Sequence, residues 1–298
     1  MEKILRVHRV NDYARYIGAP ELHPLVSVIH YDELEHCWHS LNNYDVYGMF
    51  IGDETLEELT YGLTTYVLHR HALMCVAPGQ IGGKADTGEE IQTKGWALLF
   101  DPELLHGSDV EHRMSSYSYF SYNTNEALLM SDEQRQTIVT LLEEIRKEAA
   151  GDSDEHSRHI LVHRIGLVLE YVARFYALQL SSPSKDKDDL LTRFENLLMR
   201  YYTNGLQREH GLPTVRYCAQ ELFLSPNYFG DLIRQMTGDT ATNVIRRFLM
   251  QRAKELLVSG STISETAERL GFEYPQHFTR QFKSHFGMTP TEFLKKST

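Results

Sequence analysis

Two sets of side chains in this chain of 298 residues have the types and spacing to do chemistry. The first is His69-Arg-His71. Alternate residues of a strand share a face, so an HxH pair can ligate one metal ion when a nearby carboxylate and a later histidine complete the set. No carboxylate follows at three to five residues, and the pair falls between the apolar runs 63–68 and 72–77, where a hairpin turn is expected. Only His106 resembles the later ligand, so no metal site and no cofactor are assigned. Neither a Ser/His/Asp arrangement nor a phosphate-binding glycine loop is recognisable, and no catalytic residue is named. The second set is the polar face of a helix predicted to start near Pro275. Gln276, His277, Thr279, Arg280 and Lys283 lie opposite Phe278, Phe282 and Phe286. Arginine pairs bidentately with a guanine edge and glutamine with an adenine edge, while threonine and lysine suit a methyl group or a phosphate. An earlier face carries Asn227, Tyr228, Gly230, Asp231 and Arg234. Asp231 can accept from a cytosine amino group yet repels phosphates, so this face is expected to bind weakly or to tolerate varied sequence.

Such faces need elements that hold them, and an internal repeat provides these. Val215, Ala219 and Leu222 are spaced four and three apart, as are Ile263, Ala267 and Leu270, at an offset of 48 residues. Each triplet is one apolar face of a short helix. After a turn come Phe229, Ile233 and Gly238, matched by Phe278, Phe282 and Gly287 at an offset of 49, so the second turn is one residue longer. Ser225-Pro226 puts a cap before a first-turn proline, Thr262-Ile-Ser-Glu265 is a capping box, and Thr289-Pro-Thr-Glu292 combines both devices. Each copy reads helix, short turn, helix. A small alanine in the first helix lets the second cross it steeply, the arrangement in which a second helix enters a major groove. Residues 240–258, without glycine or proline, form a linking helix of roughly 28 Å, which spaces the two second helices about one DNA turn, ~34 Å, apart. Arg246 and Arg247 on it, and Lys295 and Lys296 at the tail, are expected to meet phosphates.

Composition divides the chain. With 42% hydrophobic and 24% charged residues it can build two cored domains, and no apolar run approaches a membrane span. The net charge of −11 argues against phosphate binding until it is resolved into −15 over residues 1–189 and +4 over 190–298. Residues 181–189 hold no apolar side chain except a proline and read as a solvated linker. From 25 to 122, short runs rich in Val, Ile, Tyr and Phe alternate with turn signals, which predicts a β sandwich or barrel. The capping box Ser131-Asp-Glu-Gln134 opens a helix bearing Ile138, Leu141, Leu142 and Ile145, and a second helix is expected over 156–180. Its stripe of Ile160, Leu161, Ile165, Val168, Val172, Phe175 and Tyr176, widened by Leu167, Leu169 and Tyr171, suits either a broad core contact or a seam between two chains. Cys37, Cys75 and Cys218 lie far apart and are expected to be reduced. The first nine residues lack the apolar core of a signal peptide, so a cytoplasmic protein is expected. Trp38, His39, Tyr44, Tyr47, Tyr61, Tyr66, Trp96, Tyr117, Tyr119 and Tyr122 offer apolar walls with polar tips, as a small-molecule pocket requires, although β propensity alone also explains them.

The run Ile263-Ser-Glu-Thr-Ala-Glu-Arg-Leu-Gly-Phe272, continuing through Phe282-Lys-Ser-His-Phe-Gly-Met-Thr-Pro-Thr-Glu-Phe293, resembles the second helix-turn-helix and C-terminal signature of the AraC family of bacterial transcription regulators. Leu224-Ser-Pro-Asn-Tyr-Phe-Gly-Asp-Leu-Ile-Arg-Gln-Met-Thr-Gly238 is similar to the first. The resemblance covers the last third of the chain and implies that Gln276, Thr279 and Arg280 face bases. It further implies an α+β multidomain chain: a cupin-like β-barrel sensor over 1–125, dimerisation helices over 126–180, a linker over 181–189, and an all-α DNA-binding domain with two helix-turn-helix units over 190–298. On that reading the protein is a homodimeric, non-enzymatic regulator whose partners are double-stranded promoter DNA, RNA polymerase and a small-molecule effector, a sugar or other metabolite, held by Trp38, His39, Tyr66 and Trp96. Two other readings are a metal-dependent cupin enzyme fused to a DNA-binding tail and a constitutive DNA-binding dimer without an effector.

Overall fold

The computed structural model describes residues 4–35, 37–54, 56–61, 64–84, 88, 90–182 and 185–297, without side chains at 56–61, 64–68, 124, 185–188 and 297. The chain divides into two compact units after Leu180. In order, the first contains β1 (Ile4–Val7), α1 (Val10–Tyr16), β2 (Val26–His30), β3 (Cys37–Trp38), β4 (Leu41–Tyr44), β5 (Tyr47–Gly52), β6 (Leu56–Tyr61), β7 (Thr64–Leu68), β8 (Ala72–Val76), β9 (Gln80–Gly83), β10 (Glu90–Ile91), β11 (Gly95–Phe100), α2 (Pro102–Leu105), α3 (Asp109–Arg113), β12 (Leu128–Leu129), α4 (Asp132–Ala149) and α5 (Ser157–Ser181).

These strands form a sheet ordered β1-β4-β9-β6-β7, a second ordered β12-β8-β5-β11-β2, and the pair β10-β3. All six residues of β11 are buried, which is why Gly95-Trp-Ala-Leu-Leu-Phe100 reads as a continuous apolar run rather than an alternating one. One face of β11, Ala97 and Leu99, joins Ile29 and Val76 of its own sheet, Val7 and Tyr44 of the other, and Val10, Ala14 and Ile17 of α1 in a common core. His69-Arg-His71 departs from expectation. β7 lies in the first sheet and β8 in the second, so the segment is a crossover between sheets and not a hairpin turn. His71 adopts φ +60° there and donates its N–H to Gly52 O at 2.7 Å.

The capping box at Ser131 and Gln134 is present and starts α4. Two ion pairs tie this helix to the sheet unit, Arg135 with Asp53 beyond β5 and Arg146 with Glu33 beyond β2. The stripe expected to form a seam on α5 is mostly spent inside its own unit: Leu161, Ile165, Val168, Val172, Phe175 and Tyr176 are buried. Ile160, Leu167 and Leu178 remain exposed instead.

The second unit contains α6 (Lys185–Thr203), α7 (Gln207–His210), α8 (Val215–Glu221), α9 (Pro226–Thr237), α10 (Ala241–Val258), α11 (Ile263–Leu270), α12 (Pro275–Phe286) and α13 (Pro290–Ser297). It is all-α, as its sequence predicts. The solvated linker expected over 181–189 is shorter than its composition suggests, because α5 reaches Ser181 and α6 begins at Lys185; residues 183 and 184 lie outside the described ones. Charged residues make a good helical first turn when Leu190, Phe194, Leu197, Leu198, Tyr201 and Tyr202 of the same helix are buried. Among the described residues no helix is long and apolar enough to cross a membrane.

Glu33 accepts hydrogen bonds from Arg146 and pairs with His30, which holds its carboxyl at about 2, below the usual carboxylate range. A pKa lowered in the folded state stabilises the fold above the ordinary carboxylate value, and that contribution disappears as pH falls toward the lowered one. Glu33 is half exposed, so the pair is expected to contribute about 0.5–1 kcal/mol. Arg146→Leu is therefore expected to lower stability to urea by that amount at pH 7. The gap between variant and parent should narrow as the pH drops from about 5 to about 3.

Candidate functional site

Each half of the repeat is built from caps, a tight turn and buried aromatic rings. Thr214 Oγ1 accepts from Tyr217 N at the start of α8, and Ser225 Oγ accepts from Tyr228 N at the start of α9. Thr262 and Glu265 form the reciprocal capping box of α11, and Thr289 with Glu292 repeats it at α13. Gly238 and Gly287 end α9 and α12 in the left-handed conformation that a Cβ disfavours. Ala219 and Ala267 are fully buried, and at these positions only a small side chain lets the paired helices approach. Phe229 is fixed edge-on to Phe194 of α6 with ring centroids 5.0 Å apart. Phe278 and Phe282, both fully buried, meet at 5.7 Å. Phe286, expected on the same side, is half-buried against Phe282 at 4.6 Å. The linking helix α10 buries Ala241, Ile245, Leu249, Met250, Ala253 and Leu257 and touches α9, α11, α12 and α13.

The turns differ at one informative place. Phe223 follows the last core leucine of α8 as Gly271 follows that of α11, and both take positive φ, +60° and +85°. A Cβ on Gly271 would lie 2.9 Å from the carbonyl of Gly211, so glycine is required there for space as well as conformation. Phe223, by contrast, is 81% exposed. Sequence reading missed this position, because the first copy shows no glycine to mark it.

Outward, α12 presents Gln276, His277, Arg280 and Lys283 exposed. Thr279 is half-buried, and its hydroxyl donates to Pro275 O at 3.0 Å, so its methyl group is what it can offer a base. Arg280 forms no ion pair among the described residues. On α9, Asn227 and Arg234 are exposed while Tyr228 and Asp231 are half-buried. The charges of the two helices are unequal: α9 holds one aspartate and one arginine, α12 an arginine, a lysine and two histidines. Among the proposed phosphate contacts, Arg247 is already paired with Asp239 at 2.7 Å and Arg246 reaches Asn243 at 3.3 Å. Lys295 and Lys296 lie exposed on α13.

The first unit contains a cavity of about 130 Å3. Trp38 and His39 line it, together with Tyr44, Tyr119 and Tyr122. Trp96 does not: it is 4% exposed and stacks on His30 at 4.1 Å, on the face of β11 opposite the common core. The Tyr66 side chain lies outside the described residues. Tyr13, Tyr31 and Asn42 also line the cavity and were missed, since the first precedes the β region and the others carry no motif. Tyr13 and Tyr31 join hydroxyls at 2.9 Å, and Asn42 Nδ2 donates to Tyr44 Oη at 2.9 Å. Burial raises the pKa of all three tyrosines above its ordinary value. Outside the cavity, His71 lies 3.3 Å from Asp132 and 3.9 Å from Asp53, and His106 lies beside Glu111 at 3.4 Å. Among the described residues no group of three or more histidine, cysteine or carboxylate side chains could hold a metal ion.

Residues 218–296 match a family model described as a helix-turn-helix domain. The chain is 33% identical over 87 residues to the uncharacterized transcriptional regulatory protein YesN of Bacillus subtilis, a match covering 28% of this chain and 24% of that protein. It is 32% identical over 85 residues to the HTH-type transcriptional regulator GadX of Escherichia coli O6:H1, covering 28% and 31%. The chain thus spans about a quarter to a third of the length of these curated relatives. Among solved structures, the C-terminal domain of AraT, a response regulator from Geobacillus stearothermophilus, aligns at 26% identity and a TM-score of 0.32, over 36% of this chain and 84% of that one.

The two turn positions are expected to respond oppositely to substitution. Phe223→Gly removes a strained left-handed residue with no buried contact and is expected to stabilise the full chain by about 0.5–1 kcal/mol. Gly271→Ala forces both strain and a backbone clash and is expected to cost about 1–3 kcal/mol. Urea denaturation of the two variants, followed by circular dichroism, checks the signs.

Proposed function

We propose that this protein is a DNA-binding transcription regulator whose C-terminal unit is an AraC-type helix-turn-helix domain. It reads promoter DNA through α9 and α12 and answers to a small molecule held in the N-terminal sheet unit. The observation that carries this reading is the pairing of two aromatically anchored helices, each opened by a proline and closed by a left-handed glycine, one of which turns Gln276, His277, Arg280 and Lys283 outward. Their chemistry divides the work. Arg280 is a bidentate partner for guanine, Gln276 for adenine, and the Thr279 methyl for thymine, with Lys283 and the α13 lysines on phosphates. The nearly neutral α9 contributes less affinity and reads loosely.

In this proposal the sheet unit is the cupin-like sensor, α4 and α5 are the dimerisation helices, and the exposed Ile160, Leu167 and Leu178 of α5 form part of the contact in a cytoplasmic homodimer. RNA polymerase is the further partner through which bound protein alters transcription. Effector control then rests on the effector's different affinity for two states of the dimer, a coupling that is reciprocal with DNA binding.

Arg280→Ala is expected to lose about 1–3 kcal/mol of affinity for a selected operator and to relax preference at one base pair, with little change on random duplex. Lys295→Ala is expected to weaken both slightly and equally. Fluorescence anisotropy with the two duplexes measures the difference. Equal losses for Arg280→Ala on operator and random DNA would remove the base-reading role.

A further inference from the structure

Resting on the reading of the sheet unit as a sensor, we infer that its cavity takes a small aromatic molecule with one hydrogen-bond donor and no positive charge, anchored on the side-chain oxygen of Asn42. Three observations converge on this class. The walls are aromatic on two sides: Tyr13, Tyr44 and Phe50 meet with ring centroids 5.8 to 6.4 Å apart, while Tyr176 stacks on Tyr119 at 5.5 Å. Flat rings against flat rings bury area with little loss of rotamer freedom. The volume, about 130 Å3, is close to the ~150 Å3 of an apolar cavity that holds benzene, so one ring or a compact bicycle fits.

The third observation is the polar inventory. Tyr13 and Tyr31 satisfy each other, and Tyr119 Oη donates to Leu169 O at 3.0 Å. Asn42 Nδ2 donates to Ser40 O at 3.1 Å and to Tyr44 Oη. Because a backbone carbonyl can only accept, the Ser40 contact settles which end of the amide is nitrogen. Asn42 Oδ1 is then left without a hydrogen-bond partner on a side chain that is 2% exposed, and Asn42 lines the cavity. A buried acceptor without a donor is costly, and a ligand N–H or O–H removes that cost. Burial keeps Tyr13, Tyr31, Tyr44 and Cys75 protonated, so these residues offer no negative charge to a cation, and Lys84, which also lines the cavity, disfavours one further. A sugar would bring many hydroxyls to a wall where Tyr13, Tyr31, Tyr44 and Tyr119 already have hydrogen-bond partners, and would lose its water for few replacements.

Calorimetric titration of the full chain with phenol, toluene, tetramethylammonium and glucose tests the inference. Phenol is expected to bind at least tenfold more tightly than toluene, and the cation and the sugar are expected not to bind. Asn42→Leu, close in volume, is expected to erase the preference for phenol while keeping toluene, whose binding also reports an intact cavity. If that variant does not fold, the parent's ratio of phenol to toluene and of indole to naphthalene decides. Equal affinities within those pairs would overturn the role of Asn42. Preferred binding of glucose or tetramethylammonium would overturn the ligand class and leave the sensor reading standing. Failure of every probe to bind would remove the inference, and a metabolite that still alters operator binding would keep the sensor reading separate from it.

Discussion

The C-terminal unit depends on a single constraint: the helices that frame its polar faces are too short to exist alone. α8 has seven residues and α11 eight, below the ~12–15 at which isolated helices become marginal in water. They persist because their apolar faces are covered. Cys218 and Ala219 on one side and Ala267 and Leu270 on the other are buried, and Phe229, Phe278 and Phe282 close the crossings. α6 ties the copies together, since Phe194 meets Phe229 of the first and Tyr202 Oη donates to Leu270 O of the second. The orientation of Arg280 is thus a consequence of rings on the opposite side of its helix.

The sheet unit solves a different problem, a cavity among strands that would otherwise pack solid. Gly83 helps explain it. Its φ is +120°, and a Cβ would lie 2.1 Å from Ser40 O, so β9 crosses the start of β4 at a distance only glycine allows. The tyrosines around the space pair their hydroxyls with each other, with the Asn42 amide or with backbone, which lets polar groups stay buried without filling the centre. The ion pairs from α4 to Asp53 and Glu33 hold a helix against this unit by charge as well as by apolar area.

Electrostatics separates the two units and the two copies. The chain's net charge of −11 is the sum of an acidic N-terminal part and a basic C-terminal one, and within the latter the positive side chains lie unevenly between α9 and α12. A helix carrying both Asp231 and Arg234 gains little from phosphates, whereas one carrying Arg280 and Lys283 gains from phosphates and guanine alike. On the proposed reading, affinity and sequence preference sit more on the second copy than on the first.

Local signals were legible in the sequence by itself. The capping residues Ser131, Ser225, Thr262 and Thr289, the first-turn prolines, the repeat spacing and the polar face of α12 each arise from interactions within a few residues, so their pattern survives in one dimension. What the tertiary structure alone decided were matters of partner. Turn signals around His69-Arg-His71 were visible, but whether β7 and β8 pair or part into different sheets depends on strands far away in the chain. Residues 181–189 were polar, yet those from Lys185 are drawn into α6 by the burial of Leu190 and Phe194 beyond them. The stripe on α5 was correctly apolar, and only packing showed that most of it serves its own unit. Trp96 and Asn42 make the contrast sharpest: the tryptophan looked like a pocket wall and faces away from it, while the asparagine carried no motif and is a buried acceptor in the lining. Side-chain type limits what a residue can bind, but the long-range pairing of strands decides what it meets.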